Sequence, residues 1–428
     1  MQNYHKHTSY SNVLVTDCAA SYEEYVQRAV ELGQNVISSV EHGYQGNYYV
    51  PYELVQKYNE ELYKKVIQNQ MTESEYNKKK LKFIFGAEAY WVKDRLAEYP
   101  KVDKKTGEVI QDEYVKDRTN CHIILLAKNE EGRRDINEIL SIASIDGFYG
   151  QPRVDIELLL KIKPENVMIT TACLKYWVYD DIEEITRKLY EHFGDNFLLE
   201  IQYHNTDIQK KINVRILELH NRLGIKIILG CDSHYIYPKQ SQERDNYLEA
   251  RGIIYDEDEK GWYMDYPDES EIRRRLKVQG ILNDKQIDEC IKNTDILLDF
   301  DDIVLDKNIK LPKNYRFNGE WVGDKTQEWR DATLRDLVYS KWNDIKNTIP
   351  NERYSEYERG IEYELNAIIE TKMSDYFLID YELVKTGVTK GGIITKTGRG
   401  SGVSYYINSL LGFSNIDRFI SPVKLYPD

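Results

Sequence analysis

Short apolar runs alternate with longer amphipathic stretches over residues 1–240, and this alternation limits the fold more than any other feature. Apolar runs of roughly four to eight residues predict buried strands, whereas apolar residues at helical spacing predict helices. Repeated strand–helix units build a parallel sheet or barrel. We therefore predict strands near Asn35–Ser39, Lys82–Ala87, His122–Ala127, Val167–Thr171, Phe197–Ile201 and Ile225–Gly230.

The helices between these strands carry local signals of their own. Ser21 followed by Glu24 is a capping box, in which the two side chains accept from the first backbone N–H groups of a helix. The segment Asp207–Leu223 has apolar residues at helical spacing and predicts another helix. The charged segment Lys93–Arg118 interrupts the alternation and predicts a surface hairpin.

A different pattern occupies the rest of the chain, where acidic and aromatic segments replace the strong strands. Leu311–Gly323 contains turn residues and predicts a linker. Ser355 and Glu358 form a candidate capping box ahead of an apolar helical stripe. We expect one domain over residues 1–280, followed by a linker and a mainly helical module over residues 281–428.

Composition disfavours several classes of protein. The 58 basic and 72 acidic side chains give a formal net charge of −14, so nucleic acid would have to be bound by local basic patches. Five scattered cysteines without a CxxC pair disfavour disulfides and a thiolate zinc site, and they fit a reducing cytoplasm. Because there is no apolar run of about 18 residues and the first residues are polar, we expect neither a membrane span nor a signal peptide. A cytoplasmic location in a bacterial or infected host cell follows, and the 35 tyrosines hint at an AT-rich, viral genome.

Histidines and carboxylates stand at the ends of the predicted strands. His5 and His7 would point to one face of a strand and could grip one ion, although such a pair is often plain polar surface. His122 is an exception in placement, since it opens its strand instead of closing it. Only His192 and His220 of the eight histidines lie within predicted helices. The remaining candidates are His42, Glu88, His204, Asp232 and His234.

The ligand types at these positions favour one kind of metal chemistry. The carboxyl ends of strands in a βα barrel surround a single pocket, where these side chains would meet. Imidazole and carboxylate groups without thiolates suit Zn²⁺, Mn²⁺ or Fe²⁺ in open catalytic sites. Ions about 3.5–4 Å apart can hold a phosphate, activate a water and stabilise a leaving oxygen. The pattern therefore predicts metal-dependent phosphoester hydrolysis.

Five motifs occur in a fixed order around these residues. They are Tyr4-His5-Lys6-His7-Thr8-Ser9-Tyr10-Ser11, Glu41-His42-Gly43, Gly86-Ala87-Glu88, His122–Gly132 and Asp232-Ser233-His234. Together they resemble the PHP domains of bacterial DNA polymerase III alpha subunits over about residues 1–240. The resemblance implies an α/β fold, a distorted (β/α)7 PHP barrel, with up to three divalent ions.

The resemblance also implies which residues hold these ions. Carried over position by position, the ligand sets are His5, His7, Glu88 and Asp232 for one ion, Glu88, His122 and His204 for a second, and Asp17, His42 and His234 for the third. Asp17 rests on loop alignment alone and could instead be a turn aspartate before Ser21. Glu41 stands where the family often has aspartate, which leaves His42 intact. Some family members have degenerate sites that serve as structural platforms, but all nine positions here carry competent ligand types.

A glycine-rich turn lies near the carboxyl end, at Gly398, Arg399, Gly400 and Ser401, ahead of the apolar run Val403–Leu411. Such a turn opening a helix can bind a triphosphate through backbone N–H groups, the helix dipole and the arginine, although a tight structural turn is the alternative. Its surroundings, up to Asn415-Ile416-Asp417, resemble the start of the C-family polymerase palm, which assigns nucleotide binding to this turn. Thr397 stands where the family usually has proline.

The resemblance also shapes what we expect the chain to do. The palm's catalytic carboxylates, which hold Mg²⁺, would lie beyond Asp428, so we expect no polymerisation without a further chain that supplies the rest of the palm. The leading hypothesis is a 3′–5′ exonuclease or phosphoesterase that acts on DNA as the amino-terminal part of a polymerase III alpha-like protein. The alternatives are a stand-alone PHP phosphatase for small phosphomonoesters and an inactive PHP platform in a split replicase.

Overall fold

The fold was analysed in a computed structural model, which describes residues 1–13, 17–103, 105–119, 121–252, 262–395 and 400–427. The chain divides into two compact units, the first unit Met1–Val304 and the second unit Leu305–Asp428. The division lies later than the boundary that we expected at residue 280. Residues 281–304 therefore fold with the first unit.

A curled seven-stranded sheet forms the centre of the first unit. The strands of the first unit are β1 Val36–Ser39, β2 Lys82–Val92, β3 Glu98–Val102, β4 Val109–Lys116, β5 Cys121–Ala127, β6 Arg153–Asp155, β7 Val167–Thr170, β8 Phe197–Ile201 and β9 Ile227–Leu229. The strand order in the curled sheet is β1-β2-β5-β7-β8-β9, with β6 paired to the end of β2. All six strands predicted from the apolar runs are confirmed.

The predicted parallel arrangement of the strands does not hold at β5. This strand runs antiparallel to β2, with Gly86 opposite Leu126, and also antiparallel to β7, with Leu125 opposite Ile169. The reason is its connection. A parallel neighbour needs a crossover, usually a helix, whereas β2 is linked to β5 through the antiparallel pair β3 and β4. This pair is largely exposed and confirms the surface hairpin predicted at Lys93–Arg118.

The amino-terminal segment links the two edges of the curled sheet. Beyond β9, Ser233 N donates to His5 O at 3.2 Å and His7 N donates to Ser233 O at 2.8 Å. Next to β1, the Ser38 hydroxyl donates to Tyr4 O at 2.6 Å. Apolar side chains from both edges and from the strands between them meet in one core, as expected for a closed barrel. This core contains Tyr4, Val36, Val40, Ile84, Ile124, Leu126, Met168, Ala172, Leu198, Ile228, Leu297 and Phe300.

Helices of the first unit follow the predicted signals. The capping box of Ser21 and Glu24 is present at the start of α1, and Asp207–Leu223 is helical as predicted. Gly224 ends that helix in the left-handed conformation, with φ of 74°, which a glycine adopts without a Cβ clash. The helices are α1 Tyr22–Glu31, α2 Tyr49–Ile67, α3 Glu73–Lys79, α4 Glu130–Ile145, α5 Ile156–Leu159, α6 Ile182–Phe193, α7 Asp207–Leu223, α8 Ser241–Ala250, α9 Glu269–Gln279 and α10 Asp284–Asn293.

The second unit is mainly helical, as expected. It comprises β10 Arg316–Phe317, β11 Glu320–Trp321, α11 Gln327–Ile345, α12 Tyr354–Glu370, α13 Ser374–Thr389 and α14 Tyr406–Leu410. The apolar stripe predicted for α12 is buried in a core with Trp342 at its centre. The predicted linker is more than a spacer, because it forms the β10–β11 hairpin and buries Phe317 and Val322.

Two local expectations in this unit are wrong. The helix α12 starts at Tyr354 with Arg353 at its N-cap, so Ser355 lies inside the first turn and cannot cap it. The helix begins early because a 3₁₀ turn, Asn351–Arg353, leads directly into it. The helical run predicted over Val403–Leu411 is short, since a 3₁₀ turn precedes the five-residue helix α14.

No helix in the described part of the chain is both long enough and apolar enough to cross a membrane.

We predict that Trp342→Ala destabilises the second unit by about 3–5 kcal/mol, because it leaves a cavity in the core. The Trp342 indole is buried there and stacks on Tyr357, with the ring centroids 5.6 Å apart. Urea unfolding followed by circular dichroism measures the loss. Trp321→Ala is the matched control, since Trp321 is 42% exposed, and it should cost less than about 1 kcal/mol. Equal losses in the two variants would contradict this account of the core.

Candidate metal centre

Side chains from five parts of the first unit converge at one end of the curled sheet. His5 and His7 come from the amino-terminal segment, Glu88 from β2 and His122 from the start of β5. Because β5 is antiparallel, its first residues lie beside the last residues of β2, and His122 stands opposite Tyr90. This explains the exceptional position of His122 in the sequence. The described residues form four groups of potential ligands, each with ligand atoms within 4.8 Å of one another: His5/His7/Asp232, His42/Glu88/His122, His7/His42/His234 and Asp17/Cys18/His234.

The first predicted ligand set is brought together. The Nε2 atoms of His5 and His7 lie 3.2 and 3.3 Å from Asp232 Oδ1. The Glu88 carboxylate lies 3.6 Å from His5 Nε2 and 3.5 Å from His7 Nε2. Asp232 reaches this position with φ of 48°, a left-handed conformation that is strained for a residue with a Cβ. Such strain is typical of functional sites.

Glu88 stands between two histidine pairs, which suits a bridging carboxylate. Its Oε2 lies 2.6 Å from His42 Nδ1, and its Oε1 lies 3.1 Å from His122 Nδ1. The structure thus places His42 next to Glu88 as well as next to His234. The assignment of His42 to one particular ion stays a prediction.

His204 belongs to none of these four groups. Its Nδ1 accepts from Tyr263 N at 3.0 Å, and its buried Nε2 has no hydrogen-bond partner among the described residues. A neutral imidazole that accepts at Nδ1 carries its proton on Nε2. His204 would therefore bind an ion through Nε2 only after the contact with Tyr263 rearranges. Its predicted partnership with His122 is not seen and stays a prediction.

The third predicted set is partly assembled. Asp17 Oδ2 lies 3.4 Å from His234 Nε2, and both side chains are buried. The neighbouring Cys18 thiol donates to Asp17 Oδ1 at 3.2 Å. Burial and the Asp17 carboxylate hold the pKa of Cys18 well above its usual range, so the thiol stays protonated. Cys18 therefore supports Asp17 rather than providing a thiolate ligand.

Burial and charge divide the histidines into two kinds. Burial lowers the pKa of His7 to about 3 and that of His204 to about 4, which keeps both imidazoles neutral. Burial also opposes protonation of His42, but Glu88 outweighs it and raises the pKa of His42 to about 9. Glu200 and Asp232 likewise outweigh burial and raise the pKa of His5 well above its usual range. Metal binding would thus compete with protons at this centre.

The buried donor set fits divalent ions. The imidazole and carboxylate groups are those that Zn²⁺, Mn²⁺ and Fe²⁺ prefer. One buried ligand atom, His122 Nε2, has no hydrogen-bond partner among the described residues. Native structures rarely leave such an atom unsatisfied, and an ion would satisfy it. The centre could therefore hold His5, His7, Glu88 and Asp232 around an ion.

Glu200 is a supporting residue that our sequence reasoning missed. Its carboxylate accepts from Tyr4 Oη at 2.6 Å and lies 2.6 Å from His5 Nδ1, so it orients the imidazole. Such carboxylate–histidine contacts fix the tautomer of metal ligands. A Cβ on Gly230 would lie 2.1 Å from this carboxylate, which explains the glycine there. The signal was a single charged residue, Glu200, within the otherwise apolar strand Phe197–Ile201.

Glu41, the neighbour of His42, has a different task. Its carboxylate accepts from the hydroxyls of Thr8 (2.6 Å), Ser11 and Tyr22. These contacts fix the turn that follows His7 and occupy the oxygens of Glu41. The longer side chain at this position therefore holds the amino-terminal segment in place.

The predicted nucleotide-binding turn is described only in part, because Gly398 and Arg399 lie outside the described residues. Gly400 has φ of 72°, and Ser401 begins a 3₁₀ turn rather than an α-helix. The first N–H groups of α14 do not face an open site, since the Glu364 carboxylate accepts from Tyr406 N at 3.0 Å and from Ile407 N at 2.9 Å. The expectation that the N-terminus of this helix helps to bind phosphate is therefore wrong. Nucleotide binding by the turn itself stays a prediction.

Two protein families and several known proteins match this chain in sequence. The chain matches the family described as "PHP domain" over residues 3–204 and the family "Bacterial DNA polymerase III alpha NTPase domain" over residues 332–424. It is similar to the DNA polymerase III subunit alpha of Aquifex aeolicus, at 25% identity over 447 residues, 98% of this chain and 35% of that protein. The Helicobacter pylori protein of the same name is 24% identical over 98% of this chain, and that of Treponema pallidum 26% identical over 98%. The chain spans about a third of the length of these relatives.

We predict that Asp232→Asn lowers the metal content of the purified chain, because Asp232 Oδ1 lies within 3.3 Å of two imidazole nitrogens. Mass spectrometry of metals after equilibration with Zn²⁺ or Mn²⁺ measures the loss. The exposed Asp195, which pairs with Lys226, supplies the control Asp195→Asn. Unchanged metal content in Asp232→Asn would argue against the centre.

We also predict that metal affinity rises with pH up to about 9. The metal-free centre holds a proton on His42 below its raised pKa of about 9, and a bound ion must displace it. Calorimetric titration in two buffers with different heats of ionisation counts the released protons near pH 7.5. Identical heats in both buffers would show that no proton leaves.

Proposed function

The chain joins a PHP domain to the beginning of a polymerase region of the bacterial DNA polymerase III alpha family, and we propose that this PHP domain is a metal-dependent phosphoesterase that acts on DNA as a 3′–5′ exonuclease. The observation that carries the proposal is the placement of Glu88 between two histidine pairs. A carboxylate shared in this way suits neighbouring divalent ions, the arrangement used for phosphoester hydrolysis.

The residues of the chain would divide the work as follows. His5, His7 and Asp232 would hold one ion, and Glu88 would connect it to a second beside His42 and His122. Divalent ions bound there would supply an activated water and stabilise a leaving oxygen. Glu200 orients His5, and burial keeps His7 neutral, which is the form of imidazole that binds an ion. Burial of the ligands also strengthens their interaction with charge in the site.

DNA is the proposed substrate and partner. The similar proteins are named DNA polymerase III subunit alpha and match nearly the whole chain. A PHP phosphatase for small phosphomonoesters would not need the second unit, which matches the polymerase family over residues 332–424. The formal charge of −14 leaves DNA contacts to local surfaces. Polymerisation by this chain alone is not part of the proposal.

We predict that the metal-loaded chain releases nucleotides from the 3′ end of a labelled primer–template, and that Asp232→Asn loses this activity. The loss should exceed the roughly 10- to 100-fold effect of substitutions outside the ligand shell. Gel analysis of the labelled primer measures the release. Asp195→Asn should cut DNA at the wild-type rate, since Asp195 lies on the surface.

Other outcomes separate the competing functions. Hydrolysis of p-nitrophenyl phosphate without cleavage of DNA would favour a phosphatase for small molecules. Bound metal without hydrolysis of either substrate would favour a structural platform within a larger replicase. Digestion from the 5′ end would support phosphoesterase activity on DNA and contradict the proposed 3′–5′ direction.

A further inference from the structure

One buried hydroxyl beside the metal centre has no hydrogen-bond partner in the described part of the chain. It belongs to Tyr90, whose side chain is 1% exposed. Burying a hydroxyl without a hydrogen bond costs free energy, so an unpaired one points to a missing ligand or water. Other buried tyrosines of the first unit have partners: Tyr4 with Glu200, Tyr22 with Glu41, Tyr25 with Ser233 O, and Tyr176 with Thr186.

Tyr90 lies on the same face of β2 as the bridging Glu88. Alternate residues of a strand point to one side, and Tyr90 follows Glu88 by two positions. Its ring centroid is 5.2 Å from that of His122 and 6.3 Å from that of His42. Tyr90 therefore lies beside two of the candidate ligands, and its neutral phenol is a hydrogen-bond donor.

A buried arginine is the partner of Tyr90 on the neighbouring strand. Arg153 of β6 is in register with Tyr90 of β2, and in a parallel pair such residues share a face. Arg153 is 5% exposed. Its Nη1 donates to Gln151 O at 3.0 Å and to Tyr149 O, which holds the guanidinium in place. Its Nε has no partner among the described residues.

A donor and a cation next to a metal centre suit an anionic oxygen. We propose that the Tyr90 hydroxyl donates a hydrogen bond to a non-bridging oxygen of the phosphate group bound at this centre, with Arg153 adding positive charge behind it. The inference rests on the proposed phosphoesterase function and extends it to a residue that binds the substrate. Phosphate is the shared chemistry of a DNA end and of the free ion, so inorganic phosphate can report on the site.

The test compares Tyr90→Phe with wild type in calorimetric titrations of inorganic phosphate into the metal-loaded chain. Loss of a hydrogen bond to a charged group should weaken phosphate binding by about 10- to 100-fold. The metal content and the melting temperature should not fall, because the variant removes an unsatisfied hydroxyl and leaves the ring. Tyr176→Phe is the matched control: it removes a buried hydroxyl that is paired at 3.0 Å, so it should lower the melting temperature and leave phosphate affinity unchanged.

Three results of the binding experiments would overturn the inference. The first is equal phosphate affinity in wild type and Tyr90→Phe, which would assign the hydroxyl to an internal water. The second is loss of metal in Tyr90→Phe, and the third is the absence of phosphate binding by the wild type. A wild type that binds phosphate through Tyr90 but does not cut DNA would sustain the phosphate site and refute the exonuclease. DNA cleavage with the same KM in Tyr90→Phe and wild type would refute phosphate binding by Tyr90 and support the exonuclease.

Discussion

Buried carboxylates are the constraint on which the first unit depends. Moving an unpaired carboxylate into a protein interior costs several kcal/mol, so each must meet donors or an ion. Glu41 and Glu200 meet hydroxyl, amide and imidazole groups of the chain, and these contacts fix the amino-terminal segment between the sheet edges. Glu88, Asp232 and Asp17 instead face clustered imidazoles, where a divalent ion can replace protons. Buried carboxylates therefore both hold the barrel together and form its candidate metal centre.

The second unit also buries carboxylates, but its described residues contain no cluster of imidazoles around them. Asp375 pairs with Arg330 at 2.7 Å, and both side chains are 2% exposed. Glu364 accepts from the first N–H groups of α14 and from Arg418 Nε at 2.7 Å. These carboxylates are matched by charged groups and backbone donors of the chain itself. The comparison makes the unsatisfied His122 Nε2 beside Glu88 more informative. In the second unit the chain supplies hydrogen-bond donors to its buried carboxylates, whereas around Glu88 it supplies groups that can bind a metal ion.

Much of this arrangement could be predicted from the sequence. Apolar runs located six of the seven strands of the curled sheet, because burial on both faces leaves a continuous hydrophobic signature. The direction of β5 could not be predicted, since strand periodicity says nothing about polarity, and the charged insertion before β5 was the only signal. Glu200 was missed because its partners Tyr4 and His5 are distant in sequence. Ser355 matched a capping box, but the preceding 3₁₀ turn started the helix two residues earlier than that box predicts. The geometry of His204 depends on Tyr263, a contact that no local pattern announces.

Anomalous X-ray scattering from crystals of the full chain, recorded at the absorption edge of the metal that the purified protein retains, tests the central claim most directly. Our account predicts peaks on both sides of the Glu88 carboxylate, one towards His5, His7 and Asp232 and one towards His42 and His122. The ligand distances should then be those of bound divalent ions, roughly 2.0–2.3 Å. A map without peaks, with protonated imidazoles still paired to Glu88 and Asp232, would contradict it.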